Sequence, residues 1–150
     1  MEIERTKFAL ESVKDFLSEH GRNPLIENFC VQYLIVCLYS EMEEALSALI
    51  RIRLSGIGDE RVAKFIASTN DAMIRRVKKS EINDVLKKFG CEELVDGHID
   101  GVNLQPYFDA ISNRHLVTHG EGCSMTLEEF ERAIPCANLL LRTVEDAIAA

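Results

Sequence analysis

The 150-residue chain has no tryptophan, three prolines and only four histidines, and none of its cysteines is spaced as CxxC. Without that spacing a zinc site of paired cysteines has no basis in the sequence. The five cysteines (Cys30, Cys37, Cys91, Cys123, Cys136) are odd in number and read as free thiols in a reducing cytoplasm. The most apolar run, NFCVQYLIVCLYS from Asn28 to Ser40, lies between Glu27 and Glu41. It falls short of the roughly 20 residues that cross a bilayer, which excludes a membrane anchor there and implies a core helix. The opening MEIERTKFALESVKDF is charged and amphipathic, unlike a secretory signal.

Positive charge is also scarce. The formal net charge is −8 and the sequence pI near 5.0, so unassisted, non-specific binding to nucleic acid is disfavoured. The average hides an asymmetry. Residues 48–88 carry Arg51, Arg53, Arg61, Lys64, Arg75, Arg76, Lys78, Lys79, Lys87 and Lys88 against Asp59, Glu60, Asp71, Glu81 and Asp84, a local balance of +5. Such a run is ordinarily a solvated helix face; its functional reading is a surface able to hold a polyanion.

What the chain does have is apolar residues on helical spacing nearly throughout, which makes the fold class all-α, a helical bundle. No repeat, low-complexity tract or long linker divides it, so residues 1–150 read as one domain, large enough to bury roughly two thirds of its unfolded surface. The spacing predicts a first helix over Ile3 to Glu19 with Phe8, Val13, Phe16 and Leu17 on its apolar side. A long second helix over Leu25 to Leu54 should run through the centre of the bundle. Asp59 is placed to cap a helix from Glu60 to Ser68, and another is expected over Asp71 to Phe89. Cys91 to Asn103 reads as a short helical turn followed by a loop holding Gly97 and Gly101. Helices follow from Leu104 to His119 and, behind a Thr126/Glu129 capping box, to the C-terminus, the last kinked or divided at Pro135.

The stretch NRHLVTHGEG, residues 113–122, concentrates one arginine and two histidines before a glycine pair. On a helix Arg114 and His119 point roughly 140° apart, whereas His115 and His119, four apart, share a face. Three readings compete. In the plainest, Arg114 is a surface cation near a helix C-terminus and His119 caps the last carbonyls before Gly120. A zinc site from His115, His119 and Cys123 is spoiled by Gly120 and Gly122, which take Cys123 off the histidine face. The third is acid–base chemistry on a phosphodiester: a histidine moves protons and an arginine stabilises charge on non-bridging oxygens.

Arg114-His115-Leu116-Val117-Thr118-His119 resembles the R-x4-6-H motif of HEPN (higher eukaryotes and prokaryotes nucleotide-binding) ribonucleases, in which a polar residue often follows the arginine. The long second helix ending in EEALSALIRIRL, the segment KKSEINDVLKKFG, and the turn and capped helix after the motif extend the resemblance over most of the chain. It implies a homodimer in which the motifs of two protomers form one cleft, and a metal-independent, cofactor-free endoribonuclease of a toxin or antiviral defence system. Arg114 would hold the phosphate and His119 would move the proton; His115 and Asn113 would be accessory, and no metal ligand is expected. The substrate would be RNA, with an antitoxin or sensor protein as a candidate further partner and no membrane. In some relatives an acidic residue of the second helix contacts the motif histidine, which draws attention to Glu41, Glu43 and Glu44; the plainer reading makes these solvated charges. Cys30 and Cys37, seven apart, read as core thiols without chemistry. The alternative from another class is a HEPN-like module without catalysis that dimerises or binds nucleotide, RNA or a partner protein.

Overall fold

The computed structural model describes residues 1–69 and 77–150. Asp71, Arg75 and Arg76, with the first turns of the helix expected from Asp71, lie outside the described residues. Six helices are described: α1 (Glu4–His20), α2 (Pro24–Ser55), α3 (Glu60–Thr69), α4 (Lys79–Lys88), α5 (Gln105–Thr118) and α6 (Leu127–Ala149). α2 packs against α1, α5 and α6, and α5 against α6. The core is built on fully buried Leu34, Ile35, Leu38 and Met42 of α2, Tyr107 of α5, and Phe130, Leu140 and Leu141 of α6. None of the described helices is long and apolar enough to cross a membrane.

Local chemistry explains where the helices start. Asn23 accepts from the amide of Leu25, with Pro24 at the first position of α2, where its missing N–H costs nothing. Asp59 accepts from the amides of Arg61 and Val62 at the head of α3. The Thr126 hydroxyl accepts from Glu129 N while the Glu129 carboxylate accepts from Thr126 N, completing the capping box of α6. α1 starts differently: its preceding residue, Ile3, offers no side-chain cap. Glu41, a buried residue of α2, does the work instead, accepting from Arg5 N at 2.9 Å and from Thr6 N and Thr6 Oγ1 at 2.7 Å each. Asn138 of α6 accepts from Ile3 N. The backbone donors of Ile3, Arg5 and Thr6 at the start of α1 are thus satisfied by two other helices.

Several expectations change. α4 begins at Lys79, because Lys78 is extended (ψ 153°) and takes the N-cap position. Cys91–Asn103 holds no helical turn. It closes in a two-stranded hairpin, β1 (His98–Ile99) and β2 (Val102–Asn103), around Asp100 and Gly101, both with positive φ, the conformation an Asp-Gly pair favours in a tight turn. Pro135 does not divide α6, which runs unbroken through it; the proline faces solvent, where water can satisfy the carbonyl that its ring leaves without a donor. α1 buries Val13 and Leu17, but Phe8 is 75% exposed and Phe16 also faces out. The first half of α2 is central on one side only, since Leu25, Phe29, Tyr33 and Val36 are exposed. Cys30 and Cys37 are half-buried beside that face rather than in the core. Nor is Glu41 a solvated charge.

The cap on α1 makes a direct prediction. Glu41→Ala strands two backbone donors and one hydroxyl, so unfolding in urea should show a loss of about 2–4 kcal/mol, with Glu41→Gln losing less.

Candidate functional site

α5 ends at Thr118, and His119 follows as its C-cap (φ −95°, ψ 5°), donating its amide to the carbonyls of His115 and Leu116. Gly120 then turns the chain with φ +73°; its N–H bonds the Val117 carbonyl, and Glu121 N bonds Leu116 O at 3.0 Å. This pair of bonds closes the helix as a Schellman motif, which needs a residue free to adopt positive φ at position 120. The backbone carrying the motif is therefore fixed to its last residue.

The side chains divide among three directions. His115 and His119 are both exposed and meet edge to face, with ring centroids 4.3 Å apart and planes at 65°. Arg114 lies on another face, its guanidinium 4.2 Å from the centroid of the Tyr39 ring of α2. No described carboxylate forms an ion pair with it. Tyr39 is half-buried, and burial, with the Glu43 and Glu81 carboxylates nearby, holds its phenol above the ordinary value although Arg114 pulls the other way. The ring stays neutral, and its face attracts the cation by about 1 kcal/mol. No hydrogen bond or ring contact joins Arg114 to His119.

Asn113 points inward. Its amide nitrogen donates to the Asp109 carbonyl, and its oxygen accepts from Ser124 N at 3.2 Å, from Ser124 Oγ at 3.3 Å and from the Cys123 thiol at 3.6 Å. It ties the loop after the motif back onto α5, and Asn28 of α2 adds a second tie by donating to Cys123 O at 2.7 Å. Cys123 is thereby turned away from the histidines. Burial raises the pKa of the Cys30, Cys123 and Cys136 thiols, so these three remain protonated near neutral pH and are poor nucleophiles.

Glu41 and Glu44 are turned toward α1, Glu44 meeting Arg5 at 2.7 Å. Glu43 sits near Tyr39, where its charge helps to keep the phenol protonated. Among the described residues no group of three His, Cys, Asp or Glu side chains is placed to hold a metal ion. Of the basic run, Arg53, Arg61 and Lys64 are exposed, while Lys87 pairs with Glu93. Tyr39 is the site residue that sequence reasoning missed: in the middle of an apolar helix it carries no local signal of the cation it supports.

No family model, curated protein or solved structure matches the chain.

Asn113→Ala should cost about 1–3 kcal/mol in chemical unfolding, by leaving the Ser124 amide without its acceptor. Amide exchange at Ser124 should speed up while exchange in α2 is unchanged.

Proposed function

We propose that the chain is a metal-independent endoribonuclease acting as a homodimer, with Arg114 and His119 as catalytic groups. The observation that carries this reading is the end of α5: a guanidinium held on an aromatic face with no ion-pairing carboxylate among the described residues, and two exposed imidazoles in contact at a rigid helix end. A cation so placed is available to an anion, and phosphate oxygens match the fork of an arginine. Because Arg114 and the histidines of one protomer diverge, a single scissile phosphate needs the guanidinium of one copy and an imidazole of the other.

In the reaction His119 takes the proton of a ribose 2′-hydroxyl as the oxygen attacks the adjacent phosphorus. The P–O5′ bond breaks, the departing 5′-oxygen receives a proton from an imidazolium, and the product is a 2′,3′-cyclic phosphate with a free 5′-hydroxyl. Arg114 binds the two non-bridging oxygens as their charge grows. His115, in contact with His119, orients it or relays its proton. Asn113 acts on position alone, through the loop it anchors.

A second reading, a binding or dimerisation module without catalysis, is favoured by the net charge of −8 and by the uncovered aromatic side chains of α1 and α2.

Purified protein with single-stranded RNA discriminates between them. Arg114→Ala and His119→Ala should each lower the cleavage rate by 100-fold or more, within the usual contribution of an acid–base or oxyanion group. Chelator should leave the rate unchanged, and a 2′-deoxy substrate should be inert. Cleavage retained by both variants would reject the assignment, and RNA bound but never cut would favour the binding module. Tyr39→Phe keeps the aromatic face and should retain most activity, whereas Tyr39→Ala should lower it about tenfold.

A further inference from the structure

Two surfaces of the protomer are left uncovered and match each other. The first is a groove of about 820 Å³ between α1 and α2, lined by Phe8, Val13, Phe16, Tyr33, Val36 and Cys37 among others. Its charged lining residues are Glu4 and Arg5, the latter paired with Glu41 and Glu44, and the outer side of α1 beyond them is mainly acidic. Glu4, Glu11, Asp15 and Glu19 recur at spacings of seven, four and four, which gathers them within about 80° on the solvent face of α1, beside Phe8. None of the four forms an ion pair with a described residue.

The second is α3. It buries no residue of its own, Phe65 is 69% exposed and Val62 is open beside it, and Ile52, just before it on α2, is 64% exposed. On the flank of this apolar strip stand Arg61 and Lys64, with Arg53 nearby, all exposed and without an ion pair among the described residues. α3 is thus an amphipathic helix that rests on α2 along one side, where Ala63 and Ala67 are half-buried, and leaves Val62 and Phe65 open, with Arg61 and Lys64 outweighing Glu60 on the flank. Its ten residues measure about 15 Å, and the lip of the groove from Arg5 to Phe16 about 18 Å.

We propose that α3 of one copy docks in the α1–α2 groove of a second copy, and reciprocally, in a two-fold dimer. Charge selects this pairing over a groove-to-groove contact, which would bring two acidic rows together. Area selects the closed form. One short helix in one groove covers far less than the roughly 1,600 Å² of a standard interface, and a two-fold arrangement makes the contact twice. Chain geometry permits it as well, because the groove lies against residues 30–40 of α2 and α3 follows residue 55. Antiparallel α2 helices with the axis between these points place each α3 beside the other's groove. The groove lies on the α1 side of α2, opposite the face that meets Arg114, so this contact is separate from the one that the proposed cleavage site requires, and the inference holds whether or not RNA is cut.

The test reads the mass of the purified chain by light scattering and sedimentation over a concentration and salt series. A dimer that weakens with salt is expected, and Phe65→Glu or Phe8→Glu, both at exposed positions, should raise its dissociation constant at least 100-fold. Glu11→Lys with Asp15→Lys should weaken it about tenfold, and adding Arg61→Glu and Lys64→Glu to the same chain should restore it. Under mild oxidation Phe65→Cys should form a disulfide-linked dimer through Cys37, abolished by Cys37→Ser. A monomer at every concentration, a dimer indifferent to Phe8→Glu and Phe65→Glu, or failure of the charge exchange to rescue would overturn the inference. RNA cleavage measured on the same samples separates the two readings: cutting by a dimer indifferent to these changes leaves the ribonuclease standing, and a charge-rescued dimer that never cuts leaves the interface standing.

Discussion

The Glu41 carboxylate at the N-terminus of α1 is the constraint on which the rest of the molecule turns. Three donors of α1 converge on it, and it is supplied from the middle of a different helix. A helix start that lacks its own cap must find acceptors elsewhere or leave backbone donors buried without partners, so α1 can settle only where Glu41 waits. The same stretch of α2 carries Tyr39, two residues earlier. Residues two apart on a helix point about 200° away from one another, which puts α1 and α5 on opposite sides of α2. One short segment of α2 therefore fixes the helix that bounds the groove and supports the arginine of the candidate site.

The all-α class, the extents of α1, α2, α5 and α6 to within a few residues, and the caps at Asp59 and Thr126 were legible because each follows from local chemistry: spacing of apolar residues, a capping side chain, a glycine past the end. Glu41 was not. A carboxylate between two apolar segments looks like a break in a stripe, and only the packing of α1 shows that it completes a helix it does not belong to. Phe8 and Phe16 fail for a related reason. Periodicity tells that a face is apolar, and it cannot tell whether the neighbour that covers the face lies in the same protomer. The Asp100-Gly101 pair, by contrast, is a hairpin signal in the sequence, but the strands it joins are only two residues long, too short to show an alternating pattern.

At the candidate site, helical spacing anticipated the separation of Arg114 from the histidine face, and the contact between His115 and His119 follows from their four-residue interval. What spacing leaves out is the support behind each group. The aromatic platform for Arg114 comes from 75 residues earlier in the chain, and the role of Asn113 as the clasp of a loop depends on Ser124 and Cys123 returning to it. Both are products of tertiary packing, on which a linear motif carries no information.

The end of α5 combines a rigid backbone with side chains whose polar groups remain unspent. The Schellman turn at Gly120 and the bonds to Asn113 and Asn28 satisfy the main chain around the motif, so little ordering remains for a ligand to impose there. Meanwhile the imidazoles and the Arg114 guanidinium make no side-chain hydrogen bond or ion pair with a described residue, and the guanidinium rests on the Tyr39 ring. A structural arginine or histidine at a helix terminus normally uses its hydrogen bonds to hold that terminus, but here backbone groups and an asparagine already do so. Arg114, His115 and His119 thus contribute few of the bonds that the end of α5 requires, and the two imidazoles are left facing solvent.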